Sequence, residues 1–70
     1  MRDKRKLTPR QIQVLEKICL GKSNKEIGKE MGLTPLTVMS HVHRILGRLG
    51  ADNRTQAVTL YLAPEKFLKK

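Results

Sequence analysis

Aromatic side chains are almost missing from this sequence. Tyr61 and Phe67 are the only two in 70 residues, and there is no tryptophan. Proteins that hold single-stranded nucleic acid stack its bases on aromatic platforms, so that class fits poorly. Cysteine is nearly absent as well. Cys19 stands alone, which excludes an internal disulfide and fits a reducing cytoplasm. No apolar run approaches the length of a membrane span, and no signal-peptide pattern opens the chain. At this length a single core contributes only about 3–5 kcal/mol. With no staple in view, further support is expected from oligomerisation or from a larger parent protein.

Negative charge is the next scarcity. Six acids face 15 bases, for a net charge of +9 and a pI near 10.3. Such a balance calls for an acidic partner, and nucleic acid is the commonest. The excess is unevenly placed. Residues 1–6 hold four bases and one acid, a net +3, and residues 63–70 hold three and one, a net +2. The remaining +4 falls on residues 7–62. The first six residues read as a basic arm and the last eight as a short basic tail.

Groups with catalytic or metal-binding spacing are also lacking. His41 and His43 are two apart on an expected helix and point in nearly opposite directions. Cys19 sits in an apolar row, so no metal site is expected. Ser40 and His41 are adjacent on the same helix and cannot face each other, and no acid completes a triad. The chain is not expected to be an enzyme or to need a cofactor.

Helix signals are plentiful. In LTPRQIQVLEKICLGK, Thr8 suits an N-cap, Pro9 the first helical position and Gln11 the third position of a capping box. Ile12, Leu15, Ile18 and Cys19 share a face at helical spacing, and Gly21 is a natural stop. Ser23 and Glu26 form a second box opening a short helix that Gly32 ends. Thr34 and Pro35 open a third helix, Pro35 to Leu49, stopped by Gly50. Asn53 and Gln56 make a weaker box before a fourth helix, from about Arg54 to Leu62, which Pro64 ends. No segment alternates like a strand. An all-α, four-helix domain is expected over residues 7–62.

The third helix is two-faced. Val38, Val42, Ile45 and Leu49 share one side, with Leu46 at its edge. Leu36, Met39, Ser40, His43, Arg44 and Gly47 occupy the other, with Thr37 on the border. His41 belongs at the edge of the packed side. Helices two and three are separated only by Gly32-Leu33-Thr34, which matches a helix-turn-helix. Gly32 can take positive φ at little cost. Leu33 should plug the corner, and Gly28 is small enough to let helix three come close. Such a break stands one helix proud of a compact body, and a major groove about 12 Å wide admits one helix. Spacing alone leaves two readings open, DNA binding and a plain helical bundle that needs corners.

The segments LTPRQIQVL, GKSNKEIGKEMGLTPLTVMSHVHRIL and RLGADNRTQAV closely resemble the LuxR-type DNA-binding domain. This is the C-terminal effector domain of NarL- and FixJ-like response regulators and of quorum-sensing regulators, and it occurs alone as in GerE. The resemblance covers about residues 7–62. It implies a bacterial, cytoplasmic regulator of transcription. Helix three would be the recognition helix in the major groove and helix four the dimerisation helix, with inverted half-sites on double-stranded DNA. It implies base contacts at Met39, Ser40 and His43, and phosphate contacts at Asn24, Lys25, Thr37 and Arg44. Arg54 sits in the family's recurrent S/N-R pair and joins the phosphate candidates. RNA polymerase and an N-terminal sensor or receiver domain outside this chain are further partners that such a regulator would have.

The departures from that pattern bear on specificity. The family often has Lys where this chain has Met39 and His43. Met39 suits a thymine methyl, which is read by apolar contact. Histidine changes charge between pH 5 and 8, so His43 is expected to strengthen binding in mild acid. Gly47 replaces a usual Lys or Arg, and allows close approach to a phosphate. Gln11 and Gln13 replace frequent Glu residues and remove possible partners for Arg54. On the fourth helix Ala57, Val58, Leu60, Tyr61 and Leu62 spread around most of the surface, more than one packing face needs. Val58, Leu60 and Tyr61 are therefore expected at a homodimer interface. Two rivals remain. One is a promoter-binding module like region four of a sigma factor, and the other is a protein-interaction module using the same helices.

Overall fold

The computed structural model describes residues 7–63. Its four helices are α1 (Pro9–Cys19), α2 (Asn24–Met31), α3 (Pro35–Leu49) and α4 (Arg54–Leu62). Among the described residues there is no strand. The all-α expectation and the bounds of α3 and α4 agree with this architecture. The basic arm, the tail beyond Ala63 and the stop at Pro64 lie outside the described residues.

Local chemistry sets the helix ends. Thr8 and Gln11 form a reciprocal box: Gln11 N–H donates to Thr8 Oγ1 at 3.1 Å, and Thr8 N–H donates to Gln11 Oε1 at 3.0 Å. Ser23 and Glu26 repeat it at 3.1 and 2.8 Å. Each box satisfies two N–H groups that a helix start leaves without intrahelical partners. The expected third box is only half formed. Gln56 N–H donates to Asn53 Oδ1 at 2.8 Å, but the Gln56 side chain accepts from Asp52 N–H rather than from Asn53. The chain enters α4 from a direction that brings Asp52 within reach of that amide.

At the end of α2, Gly32 lies in the left-handed region at φ +71. Leu33 N–H then donates back to Gly28 O at 2.7 Å, the six-to-one bond of a Schellman closure. The same closure follows α1, with Lys22 N–H on Lys17 O, and α3, with Ala51 N–H on Leu46 O. Gly28 is small for a reason slightly different from the one expected. A Cβ there would run into the Leu33 carbonyl, so its size makes room for the turn rather than for the body of α3.

The core is built on α3, which packs against the other three helices. Val38, Val42, Ile45 and Leu49 are buried, as their spacing indicates, together with Val14, Leu15, Ile18, Ile27 and Ala57. The face expected for α1 is corrected in part. Leu15 and Ile18 are buried, but Val14 is fully buried where Ile12 and Cys19 are only half-buried. Leu7 also closes the core from just before the helix. Leu33 and Met31 are partly buried against the cluster, so Leu33 does fill the corner.

Candidate nucleic-acid interface

Because one side of α3 is fully committed to the core, its other side must point outward. Leu36, Thr37, Met39, Ser40, His43, Arg44 and Gly47 are all exposed, and His41 is half-buried at the edge. Met39, Ser40, His43 and Arg44 line one open depression of about 400 Å³. The three base-contact candidates are therefore brought together, with one candidate phosphate ligand beside them.

Thr37 is exposed in the first turn of α3. Its N–H donates to the N-cap oxygen Thr34 Oγ1 at 3.1 Å, and its Oγ1 accepts from the Thr34 hydroxyl at 3.0 Å. A hydroxyl has one proton to donate. With the Thr34 proton directed at Thr37, the Thr37 proton is the one that can turn to an incoming oxygen. Lys25 is exposed in the first turn of α2, where helix N–H groups and the macrodipole favour an anion.

Arg54 has a use that sequence reasoning did not find. Its Nη1 donates to Asn24 Oδ1 at 2.6 Å and its Nη2 to Lys22 O at 2.7 Å. The guanidinium ties the start of α4 to the start of α2. Asn24 is held by its oxygen, so the donors its side chain can offer are those of its amide N–H₂. Gln11, one of the two glutamines that stand where the family often has Glu, is buried in its capping box instead. The signal available in the sequence was the Asn-Arg pair itself, without its partner.

Lys22 joins Lys17 in a cluster around Glu30. Its Nζ lies 2.9 Å from Glu30 Oε2, while Lys17 Nζ lies 2.8 Å from Glu30 Oε1. Hydrogen bonds from Lys17 and Lys22 hold the Glu30 carboxyl below its ordinary 4.5. The same contact, a hydrogen bond first and the carboxylate charge second, pushes Lys22 above 10.5.

On α4 the apolar spread expected from the sequence divides into three groups. Ala57 is buried, while Val58, Leu60 and Tyr61 are half-buried against the core. Tyr61 sits close to α1: burial, then the charges of Glu16 and Cys19, push its phenol upward. Leu62, 63% exposed, is the outward apolar residue. Among the described residues no group of acids, histidines and cysteines could hold a metal, and no helix is long and apolar enough to cross a membrane.

A short helix, a left-handed glycine turn and a second helix with its polar side outward define a helix-turn-helix domain. A family model described as bacterial regulatory proteins of the luxR family matches residues 5–61. The chain belongs to this luxR family, whose members are DNA-binding transcription regulators. It is 47% identical over 51 residues to the transcriptional regulatory protein LiaR of Bacillus subtilis, covering 73% of this chain and 24% of that protein. It is 42% identical over 52 residues to the glycerol metabolism activator of Pseudomonas putida, covering 74% and 24%. With the CsgBAC operon transcriptional regulatory protein of Escherichia coli it shares 36% over 53 residues, covering 76% and 24%. The chain thus spans about a quarter of the length of these relatives.

Proposed function

We propose that this chain binds double-stranded DNA in a sequence-selective way and regulates bacterial transcription from the cytoplasm. In this reading α3 enters the major groove. Met39, Ser40 and His43 meet base edges, which specify sequence, while phosphate contacts position the domain. Lys25, Thr37, Arg44 and the amide of Asn24 serve as the phosphate ligands. Arg54 acts on the phosphate through Asn24, as a positioning residue. A homodimer through α4 would set two such helices on inverted half-sites about one helical turn apart, with Val58, Leu60 and Tyr61 at the contact and Leu62 beside them. RNA polymerase and an N-terminal sensor or receiver domain complete the proposed setting.

The observation that carries this reading is the exposure of the whole outward side of α3, together with that of Lys25 in the first turn of α2. The test is fluorescence anisotropy of a labelled random-sequence duplex at two salt concentrations, with Ser40→Glu beside the wild type. Each phosphate neutralised should contribute a slope of about −0.9 in log affinity against log salt. Wild-type binding should weaken steeply with salt, and the variant should fail to bind at either concentration. Equal binding by both proteins would move the contact off α3 and onto the basic tails.

A further inference from the structure

Two large apolar side chains stand on the outward face of α3. Leu36 is 68% exposed and Met39 is 49% exposed. They are three residues apart, which puts their Cβ atoms about 5–6 Å from each other on a helix. Both belong to the N-terminal half of α3, and recognition helices meet base edges with their N-terminal residues. Met39 also walls the open depression shared with Ser40, His43 and Arg44.

The four residues Leu36, Met39, Ser40 and His43 offer no bidentate cation for guanine. The commonest specific contact to guanine is a bidentate Arg or Lys. Positions 36, 39, 40 and 43 carry Leu, Met, Ser and His. Arg44 is the one cation lining the depression. The thymine methyl, by contrast, projects into the major groove and is met by apolar contact. The spacing of Leu36 and Met39 is comparable to one or two base steps of about 3.4 Å along a strand.

We infer that Leu36 and Met39 make this domain a reader of thymine methyl groups, so that its half-site carries thymine where those two side chains enter the groove. The inference rests on the DNA-binding reading above and adds the base class that it selects. Burying one methyl group contributes about fourfold in affinity.

The experiment uses the full 70-residue chain. Binding sites are selected from a random duplex library, and each thymine of the selected site is then replaced singly by uracil, which removes only the methyl. At one or two thymines the uracil duplex should bind about fourfold more weakly. Met39→Ala and Leu36→Ala should each bind the thymine and uracil forms alike at one of those positions. Both side chains are exposed, so circular dichroism should show the variants folded. A selection with no base preference, uracil without effect at every position, or a uracil penalty unchanged in both variants would overturn the inference alone, provided salt-sensitive duplex binding is seen. If the wild type binds no duplex even at low salt, the DNA-binding reading falls and this inference with it.

Discussion

Gly28 and Gly47 are both helical glycines, and their surroundings differ sharply. A Cβ at Gly28 would meet the backbone carbonyl of Leu33, whereas one at Gly47 would meet nothing within 4 Å. Gly47→Ala should therefore stabilise the domain by about 0.5–1 kcal/mol, the ordinary helix gain over glycine. Gly28→Ala should destabilise it by about 1–3 kcal/mol despite the same gain, because backbone must shift to admit the methyl. Thermal melts settle both signs, since about 1 kcal/mol moves the midpoint of so small a domain by about 4–8 °C. Binding data on Gly47→Ala would add a second reading. A more stable variant with weaker DNA affinity would support close approach of a phosphate at that position.

Beyond the shared apolar core, polar side chains also tie one element to another. Arg54 joins α4 to the start of α2 through two acceptors, and Lys cannot present two donors in that planar fork. Arg54→Lys and Arg54→Ala should each cost about 1–3 kcal/mol, the scale of hydrogen bonds from a charged donor. Urea unfolding measures the loss, and affinity should fall in the same variants because Asn24 is no longer held. The tie between α1 and α2 is the Lys17–Glu30–Lys22 cluster. A carboxyl whose pKa is lowered on folding adds stability above its unfolded value, and that stability is lost as pH falls through the folded value. Glu30→Gln should thus lower the melting midpoint at neutral pH, and the gap to wild type should close below about pH 4.5. Lys22, raised above 10.5, has the opposite window: its share is present below 10.5 and fades as pH rises through the folded value. Melts in matched salt across the acid range check this, and a gap that stays constant would refute it.

At the scale of the whole molecule, the proposed homodimer through α4 can be probed at its most exposed apolar residue. Val58, Leu60 and Tyr61 are partly packed on their own core, so replacing them risks unfolding. Leu62, 63% exposed, offers a cleaner probe. Leu62→Glu should leave helicity and the melting midpoint nearly unchanged and weaken cooperative binding to a duplex with two inverted half-sites. Single half-site affinity should be preserved. Sedimentation of protein–DNA complexes separates one bound copy from two. Two copies bound equally well by variant and wild type would place the dimer contact elsewhere.

The helix ends were legible because their causes are local. Thr8, Ser23 and Thr34 bond to groups three residues on, and a run of that length is visible in any sequence. The division of α3 into a packed and an outward side was legible for the same reason, since helical periodicity is a property of the chain alone. The luxR pattern was legible as ordered motifs. Tertiary structure alone decided the use of Arg54, whose partners lie 30 and 32 residues away, and the meeting of Lys17 with Glu30 across 13. It also decided that Tyr61 turns to α1, that Val14 rather than Ile12 is fully buried, and that Gly28 makes room for a carbonyl. Each of these depends on the distance and angle between packed helices, which no local run of residues encodes. The outward composition of α3 was set by sequence, and packing left Leu36 and Met39 exposed on that side.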